Sequence, residues 1–150
     1  MGRIADRLGQ LGIELPAPKR PVANYLGCKR SGDLLFVSAR VSERAGEVGT
    51  QIDREEAKQA ARQAALSILS IVQAEIGDLD RIESVERMQG FVRSAASFTE
   101  QPYVIDGASE VLIEIFGQAG HHARTATGAA QLPFGAAVQL DMVMRMVSPG

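Results

Sequence analysis

One segment, from Asp53 to Ile76, constrains the fold more than any other part of the sequence. Its apolar residues recur at the spacing of an α-helix, at Ala57, Ala61, Ala64, Ile68, Val72 and Ile76. Asp53 can cap the first turn, Glu56 follows three residues later as in a capping box, and Gly77 can end the helix. The pattern predicts one long helix with a buried face.

Two further helices and five strands are predicted around this helix. The stretch Thr99–Phe116 has an apolar stripe at helical spacing, and Arg3–Leu11 can form a short helix. The strands are predicted at Asn24–Arg30, Leu34–Arg40, within Arg81–Arg93, at Ala123–Ala130 and at Ala136–Val147. Because each long helix lies between strands, the order predicts an α+β fold in two layers, a mixed sheet with both long helices on one face.

The last predicted strand indicates what lies on each side of the sheet. Its alternate residues Val138, Leu140, Met142, Met144 and Met146 suit packing under the helices. The residues between them are half polar and half apolar, as in many subunit interfaces. The sequence has no linker or repeat, so residues 1–150 are predicted to form one domain, in which residues 1–20 are a helix and an extended lead-in.

Composition and charge argue against several kinds of partner. The formal net charge is −2 and there is no basic block, which disfavours binding to nucleic acid. No apolar run is long enough to cross a bilayer, and the N-terminal residues lack the apolar core of a secretion signal. Cys28 is the only cysteine, so no disulfide can form within the chain. We predict a soluble, cytoplasmic protein with neither a nucleic-acid nor a membrane partner.

Arg124 is unusual because only small residues follow it, over the run 125–130. On a strand, Arg124, Ala126 and Gly128 share a face, which leaves the guanidinium beside a shallow lane. A guanidinium can hold a carboxylate through two parallel hydrogen bonds, so this arrangement suits a small carboxylate ligand. The alternative is a surface arginine paired with an Asp or Glu, with the small residues admitting a neighbouring subunit.

Other polar residues give weaker signals. His121 and His122 are adjacent, so on a strand they point to opposite faces and cannot hold one metal ion together, and we predict a solvated pair in a loop. Cys28 has no base near it in sequence, which predicts a packed or half-exposed thiol without a reactive role. Neither a metal nor a cofactor is predicted.

Four stretches of the sequence carry a resemblance to a known family. They are GDLLFVSA (32–39), GDLDRIESV (77–85), FVRSAASFTEQPYVIDGAS (91–109) and HARTATGAAQLPFGAAVQLD (122–141). From about Ala23 to Val147 the chain resembles the RidA/YjgF family of reactive-intermediate deaminases, also called endoribonuclease L-PSP-like proteins. The family signature has an arginine, then small residues, then Leu-Pro, which correspond here to Arg124 and to Leu132-Pro133. The variant FTEQPYVIDGAS indicates a subgroup distinct from the best-known deaminases.

The resemblance implies a chorismate-mutase-like fold and a homotrimer with ligand clefts between subunits. It also implies that Arg124 binds the substrate carboxylate and that Tyr25 lies in the cleft. In the deaminating members, water hydrolyses an enamine or imine derived from an amino acid, such as 2-aminoacrylate, to a 2-keto acid and ammonia.

Two positions depart from the family pattern. Gln139 stands where active members have a glutamate that is thought to position the water, and an amide can orient a water but cannot act as a base. Asp141 follows on the same strand face and could replace that glutamate only if the cleft reaches it. Arg40 ends the stretch Ser38-Ala39-Arg40, where the family has Ser-Gly-Gln, and adds a cation near the site.

The sequence therefore supports two main functions. The first is hydrolysis of an enamine or imine, with Gln139 and Tyr25 as catalytic residues. The ligand would then be held by Arg124, Ala126, Gly128 and Arg40. The second is a trimeric protein that binds or senses a small carboxylate metabolite without catalysis, which the amide of Gln139 favours. The ribonuclease activity in the family's older name is disfavoured by the net charge of −2 and the absence of Trp.

Overall fold

The computed structural model describes residues 2–20 and 24–148, which form five strands and three α-helices. The strands are β1 (Cys28–Ser31), β2 (Leu34–Val41), β3 (Ile82–Arg93), β4 (Ala123–Ala129) and β5 (Val138–Met146). The helices are α1 (Arg3–Leu11), α2 (Arg54–Ile76) and α3 (Gln101–Phe116), with short 3-10 helices at Leu79–Arg81, Gly117–Gly120 and Pro133–Gly135. Ala23, where the resemblance begins, lies outside the described residues, as do the two ends of the predicted domain, Met1 and Gly150.

The five strands form one mixed sheet in the order β1–β2–β5–β3–β4. Strands β3 and β4 are parallel, and the other neighbouring pairs are antiparallel. Helix α2 connects β2 to β3 and α3 connects β3 to β4, and the two helices pack against each other and against the sheet. The predicted α+β fold, a mixed sheet with both long helices on one face, is confirmed.

Burial alternates along β5 as the sequence predicts. Its residues Val138, Leu140, Met142, Met144 and Met146 are at most 1% exposed and belong to the core beneath the helices. The residues between them, from Gln139 to Arg145, are half-buried. One side of the strand therefore contributes to the core, and the other side faces away from the helices.

Helix α2 begins and ends where the capping pattern predicts. The carboxylate of Asp53 accepts a hydrogen bond from the backbone N–H of Glu56 at 2.8 Å, and Gly77 follows the last turn with a φ of 90°. The reciprocal half of the capping box is missing, because the Glu56 side chain pairs with Arg44 instead. Among the described residues, none of the helices has both the length and the apolar character that a membrane span requires.

Strand β1 begins at Cys28, four residues later than the prediction from Asn24. The chain before Cys28 is held to β2 without forming a regular ladder. The Ser38 amide donates to the carbonyl of Gly27 at 2.9 Å, and the Ser38 hydroxyl donates to the carbonyl of Leu26 at 2.6 Å. These two hydrogen bonds attach the segment before Cys28 to β2 outside the regular ladder.

Strand β5 begins at Val138 instead of Ala136. Ala136 pairs with Ala45, and the Ala137 amide donates to the carbonyl of Arg44 at 3.0 Å. The Ala137 carbonyl accepts a hydrogen bond from the Arg93 amide of β3 at 2.9 Å. The two alanines are therefore shared between the loop before α2 and the end of β3, and the regular ladder with β3 starts at Val138.

Asp80 caps helix α1 from a distant part of the chain. The residue before the helix, Gly2, has no side chain to cap it. The carboxylate of Asp80 instead accepts the backbone N–H groups of Arg3 and Ile4, each at 2.8 Å. These hydrogen bonds, first that from Ile4 and then that from Arg3, lower the pKa of Asp80. The short helix is therefore held to the domain partly by one negative charge.

Asp80→Asn is expected to lower the free energy of unfolding by roughly 0.3–1 kcal/mol at neutral pH, because the charge at the helix N-terminus is lost. Since the folded state lowers the pKa of Asp80, its contribution is present above the ordinary pKa of Asp and is lost as the pH falls through the lowered value. Urea unfolding of both proteins at neutral and acid pH tests this. A deficit of the same size at both pH values would contradict it.

Candidate functional site

A cavity of about 700 Å³ lies at the outer edge of β2. β1 pairs with β2 only as far as Val37, so the last residues of β2 have an open side. Across the cavity lie helix α2 and the lead-in that follows α1. Tyr25, Arg40 and Gln139 all contribute to its lining, and we call these three residues the cavity half-site. The structure thus brings three of the predicted site residues to one place.

Arg40 is fixed at the wall of this cavity by the lead-in. Its Nη2 donates a hydrogen bond to the carbonyl oxygen of Lys19. The Lys19 side chain pairs with Glu43 at 3.4 Å, and these two side chains are 72% and 61% exposed. The partner of the Arg40 guanidinium is thus a neutral carbonyl, and among the described residues no carboxylate forms an ion pair with it.

Phe134 is an exposed aromatic residue in the lining that sequence analysis did not single out. Its side chain is 78% exposed. In the described part of the chain it is the only residue other than glycine that has a positive φ, with a value of 60°. That conformation strains a bulky residue, and such strain is concentrated at functional sites. The available signal was its position between Pro133 and Gly135, which predicts a turn but not the direction of the ring.

Arg124 lies on β4, at the other edge of the sheet, and its guanidinium is bound to helix α3. Nη1 donates to the carboxylate of Asp106 at 2.7 Å and to the hydroxyl of Ser109 at 3.2 Å, and Nη2 donates to the carbonyl of Pro102 at 3.5 Å. These three partners are spaced along one face of α3. In a single chain, Arg124 therefore has the internal ion pair that the alternative interpretation of the sequence predicted.

The ion pair uses only part of the hydrogen-bonding capacity of Arg124. A guanidinium has five N–H donors, and those on Nε and one on Nη2 have no partner among the described residues. The side chain is 23% exposed. Nε and Nη2 form an edge that can hold a carboxylate through two parallel hydrogen bonds. Asp106 offsets part of the positive charge, so the attraction for a ligand is weaker than that of an unpaired arginine.

His122 continues this network. Both histidines lie in a loop, as predicted, but the prediction that His122 is solvated is wrong. His121 is exposed, but His122 is half-buried, with Nδ1 2.6 Å from the carbonyl of Gly120 and Nε2 2.9 Å from the hydroxyl of Ser109. Because a carbonyl can only accept, Nδ1 carries the proton and Nε2 accepts from Ser109. Burial lowers the pKa of His122, and Arg124 adds to this while the bond to Gly120 opposes it. The neutral imidazole thus orients Ser109 beneath Arg124.

Of the small residues that follow Arg124, two lie on the helix side of β4, and the side chains that alternate with them are exposed. Arg124 and Ala126 share a face of β4, as predicted, and Ala126 packs against the core. At Gly128, a Cβ atom would come within 3.0 Å of Nε2 of Gln101. The predicted lane is therefore narrow in a single chain. We call Arg124, Ala126 and Gly128 the edge half-site.

The two half-sites are separated by the width of the sheet. Strands β5 and β3 lie between β2 and β4, which puts Arg40 and Arg124 on the order of 14 Å apart by strand spacing. Gln139 on β5 is nearer to β4 than Arg40 is, but its side chain faces away from the helices, whereas that of Arg124 faces α3. A single chain does not bring all the predicted site residues together.

Asp141 and Cys28 are not among the residues that line the cavity. Asp141 is half-buried on the same face of β5 as Gln139, and burial raises its pKa while Arg87 opposes this. Burial, with a further contribution from Glu75, raises the pKa of Cys28 to about 11, so this thiol stays protonated at neutral pH. In the ranges 2–20 and 24–148, no three His, Cys, Asp or Glu residues are grouped so as to hold a metal ion.

Comparison with known proteins identifies relatives over almost the whole chain. Residues 5–144 match the family described as "YjgF/chorismate_mutase-like, putative endoribonuclease". Protein TCP17 of Trypanosoma cruzi is 43% identical over 152 residues, which cover 97% of this chain and 95% of that protein. The crystal structure of Atu1372 from Agrobacterium tumefaciens is 39% identical, with a TM-score of 0.89 over 96% of this chain and 92% of that one. E. coli TdcF, solved with bound serine, is 17% identical and shares the fold, with a TM-score of 0.62 over 87% and 94% of the two chains.

Proposed function

Since the chain belongs to the RidA/YjgF family, whose model covers residues 5–144, we propose that it binds a small carboxylate metabolite in a cleft between two copies of the chain. We further propose that it hydrolyses an enamine or imine held there to a 2-keto acid and ammonia. The observation that carries the proposal is the division of the site residues between opposite edges of one sheet.

This division favours a cleft that two copies share. The cavity half-site has the void, whereas the edge half-site has the guanidinium edge formed by Nε and Nη2 of Arg124 but little space beside it. A ligand that contacts both must receive one half-site from each of two chains. In a closed symmetric assembly, every chain then contributes to two clefts, one at each edge of its sheet.

Arg124 is suited to anchor the carboxylate because it is already positioned. Its contacts with Asp106 and Ser109 hold the guanidinium in place, so little side-chain entropy is lost when a ligand binds. The edge formed by Nε and Nη2 presents two donors. That TdcF binds serine supports a ligand with the carboxylate of an amino acid.

The chemistry requires a water placed against the imine carbon. An enamine first becomes the imine by moving a proton from nitrogen to carbon. Water then adds to the C=N bond, giving a carbinolamine, and the C–N bond breaks to release ammonia and leave the keto group. The side-chain oxygen of Gln139 can accept a hydrogen bond from that water and orient it, and the Tyr25 hydroxyl can exchange a proton with the departing nitrogen. Neither group is a strong base, so positioning would account for most of the acceleration.

Arg124→Ala is expected to abolish the acceleration of ammonia release from a 2-imino acid generated in the assay by an amino-acid oxidase. Arg62→Ala is the matched control, because Arg62 is also partly exposed and also forms an ion pair within the chain, with Glu114 at 3.4 Å. The control should retain the wild-type rate. Equal rates for Arg124→Ala and the wild type would reject the proposal.

Asp106→Asn tests the same anchor in the opposite direction. Asp106→Asn removes the negative charge next to Nη1 of Arg124 and keeps an acceptor of nearly the same shape, so no carboxylate competes with the ligand for the guanidinium. The affinity for a 2-keto acid, measured by calorimetry, should rise several-fold, within the range of one weakened charge–charge contact. An unchanged affinity would mean that the ligand does not contact Arg124.

The second candidate is a protein that binds the metabolite without turnover. It is favoured by Gln139, which lines the cavity and cannot act as a base. Saturable binding of a 2-keto acid that depends on Arg124, together with no acceleration of imine hydrolysis, would identify this function. Any Arg124-dependent turnover would exclude it.

A further inference from the structure

The cavity carries more positive charge than a single carboxylate can neutralise. Among the residues that line it are Lys19, Arg20, Arg40 and Glu43. Lys19 and Glu43 pair with each other at 3.4 Å. Neither Arg20 nor Arg40 pairs with a carboxylate in the part of the chain that the structure describes, so both contribute net positive charge. The charge lies in the cavity itself, apart from Arg124 on the far edge of the sheet.

Arg40 is the better positioned of the two arginines. Its side chain is half-buried and its head group is held by the hydrogen bond to the Lys19 carbonyl, whereas Arg20 is exposed. Nε and Nη1 of Arg40 have no partner among residues 2–20 and 24–148. In contrast to Arg124, whose charge is offset by Asp106, Arg40 offers an uncompensated charge and unused donors.

The size and lining of the cavity indicate what kind of ligand it suits. A volume of about 700 Å³ is within the range of roughly 300–1,000 Å³ that pockets for drug-sized ligands have, far more than a three-carbon acid fills. Apolar side chains form much of the wall, including Pro16, Ile71, Pro133 and Phe134. A ligand that fills the space therefore has an apolar middle.

We propose that the cleft selects a dicarboxylate, with the α-carboxylate on Arg124 of one copy and a second carboxylate, at the end of an aliphatic chain, on Arg40 of the other. This inference rests on the proposed function and deepens it by naming the ligand class. Without the second carboxylate, the charge of Arg40 would stay unpaired in a partly dehydrated cavity, which is unfavourable. The terminal carboxylate is thus the feature by which the cleft distinguishes its ligand.

Two 2-keto acids of equal chain length test the proposal, 2-oxoadipate and 2-oxohexanoate, which differ only in the terminal carboxylate. Calorimetry with the assembled wild-type protein should show that 2-oxoadipate binds roughly 10- to 100-fold more tightly, as expected for one charge-assisted hydrogen bond. Arg40→Gln keeps a donor for the Lys19 carbonyl but removes the charge, and should reduce this preference to about threefold or less, because it weakens the binding of 2-oxoadipate much more than that of 2-oxohexanoate. Arg40→Lys should restore most of the preference.

The outcomes separate this inference from the proposed function. Equal affinities for the two acids in the wild type, or a preference that survives in Arg40→Gln, would overturn the dicarboxylate assignment and leave the proposed function standing. If Arg40→Gln weakened the binding of both acids equally, the role of Arg40 would be only to hold the lead-in in place, and the dicarboxylate assignment would again be wrong. Normal binding of both acids by Arg124→Ala, or binding of neither acid by the wild type, would overturn the proposed function itself.

Discussion

Two variants that are each inactive are expected to recover activity when they assemble together. One carries Arg124→Ala, and the other carries both Tyr25→Ala and Gln139→Ala, so each lacks one half-site. If every cleft takes its edge half-site from one copy and its cavity half-site from the next, random mixing in equal amounts leaves roughly a quarter of the clefts intact. The mixture should therefore release ammonia at about a quarter of the wild-type rate.

The experiment needs proof that the chains have mixed. Coexpression with two different affinity tags and two successive purifications isolates assemblies that contain both variants. Because unmixed assemblies are removed, the expected fraction of intact clefts rises from about a quarter to about a third if the assembly is a ring of three chains. Each variant purified alone is the baseline, and a mixture made after assembly, without exchange of chains, is the control. Activity in the mixed assemblies that does not exceed the two baselines would contradict a cleft shared between copies. For a protein that binds without turnover, the same fraction is expected in the number of ligand sites per chain.

Gly107→Ala is expected to lower the free energy of unfolding by about 3 kcal/mol or more, a larger loss than most single substitutions cause. Gly107 is buried in α3, and a Cβ atom there would lie 2.1 Å from the carbonyl oxygen of Lys58 in α2. Backbone cannot move aside as the end of a side chain can, so the two helices must separate and give up packing. For a chain of this length, the midpoint of thermal unfolding should fall by roughly 6–12 °C.

Gly9→Ala is the matched control for this substitution. Gly9 is also inside a helix, α1, but a Cβ atom there would have no neighbour within 4 Å. The alanine should stabilise the protein by about 0.5–1 kcal/mol, because glycine is a poor helix former. Both variants are compared at the same chain concentration. A change of the same sign and size in the two would show that helix propensity, and not the contact between helices, determines the effect at Gly107.

The sequence predicts those parts of the fold that depend on neighbours along the chain. Helix α2 is specified by Asp53, by its apolar periodicity and by Gly77, all of which act within one helix. The burial pattern of β5 follows from strict alternation over nine residues. The two-layer arrangement then follows from the order of helices and strands, because long helices between strands must pack on the sheet.

Contacts between distant segments could not be predicted from the same signals. Gly107 suggests only that the first turns of α3 are weakened when helix propensity alone is considered, but the structure places it against the backbone of α2 at Lys58. Asp80 caps a helix 76 residues earlier in the chain. In each case the partner is set by how the helices are arranged, and no local pattern records that arrangement.

The sequence predicted several residues of the candidate site but not the contacts that these residues make. Tyr25, Arg40 and Gln139 were assigned through the family resemblance, and the structure brings these three to one cavity. The ion pair of Arg124 with Asp106 was only one of two open alternatives, because a strand pattern does not show what the adjacent helix presents. The role of His122 was missed because its partner, Ser109, lies on α3 and its acceptor is a backbone carbonyl, neither of which adjacency to His121 reveals.

If two copies share the cleft as proposed, the position of the two half-sites at opposite edges of one sheet has a consequence for how the protein responds to its own concentration. When a ligand contacts two chains, it binds the assembled form and not the separated chains, so ligand and assembly stabilise each other by mass action. Dilution then lowers the fraction of chains that can bind ligand, and a higher metabolite concentration stabilises the assembly.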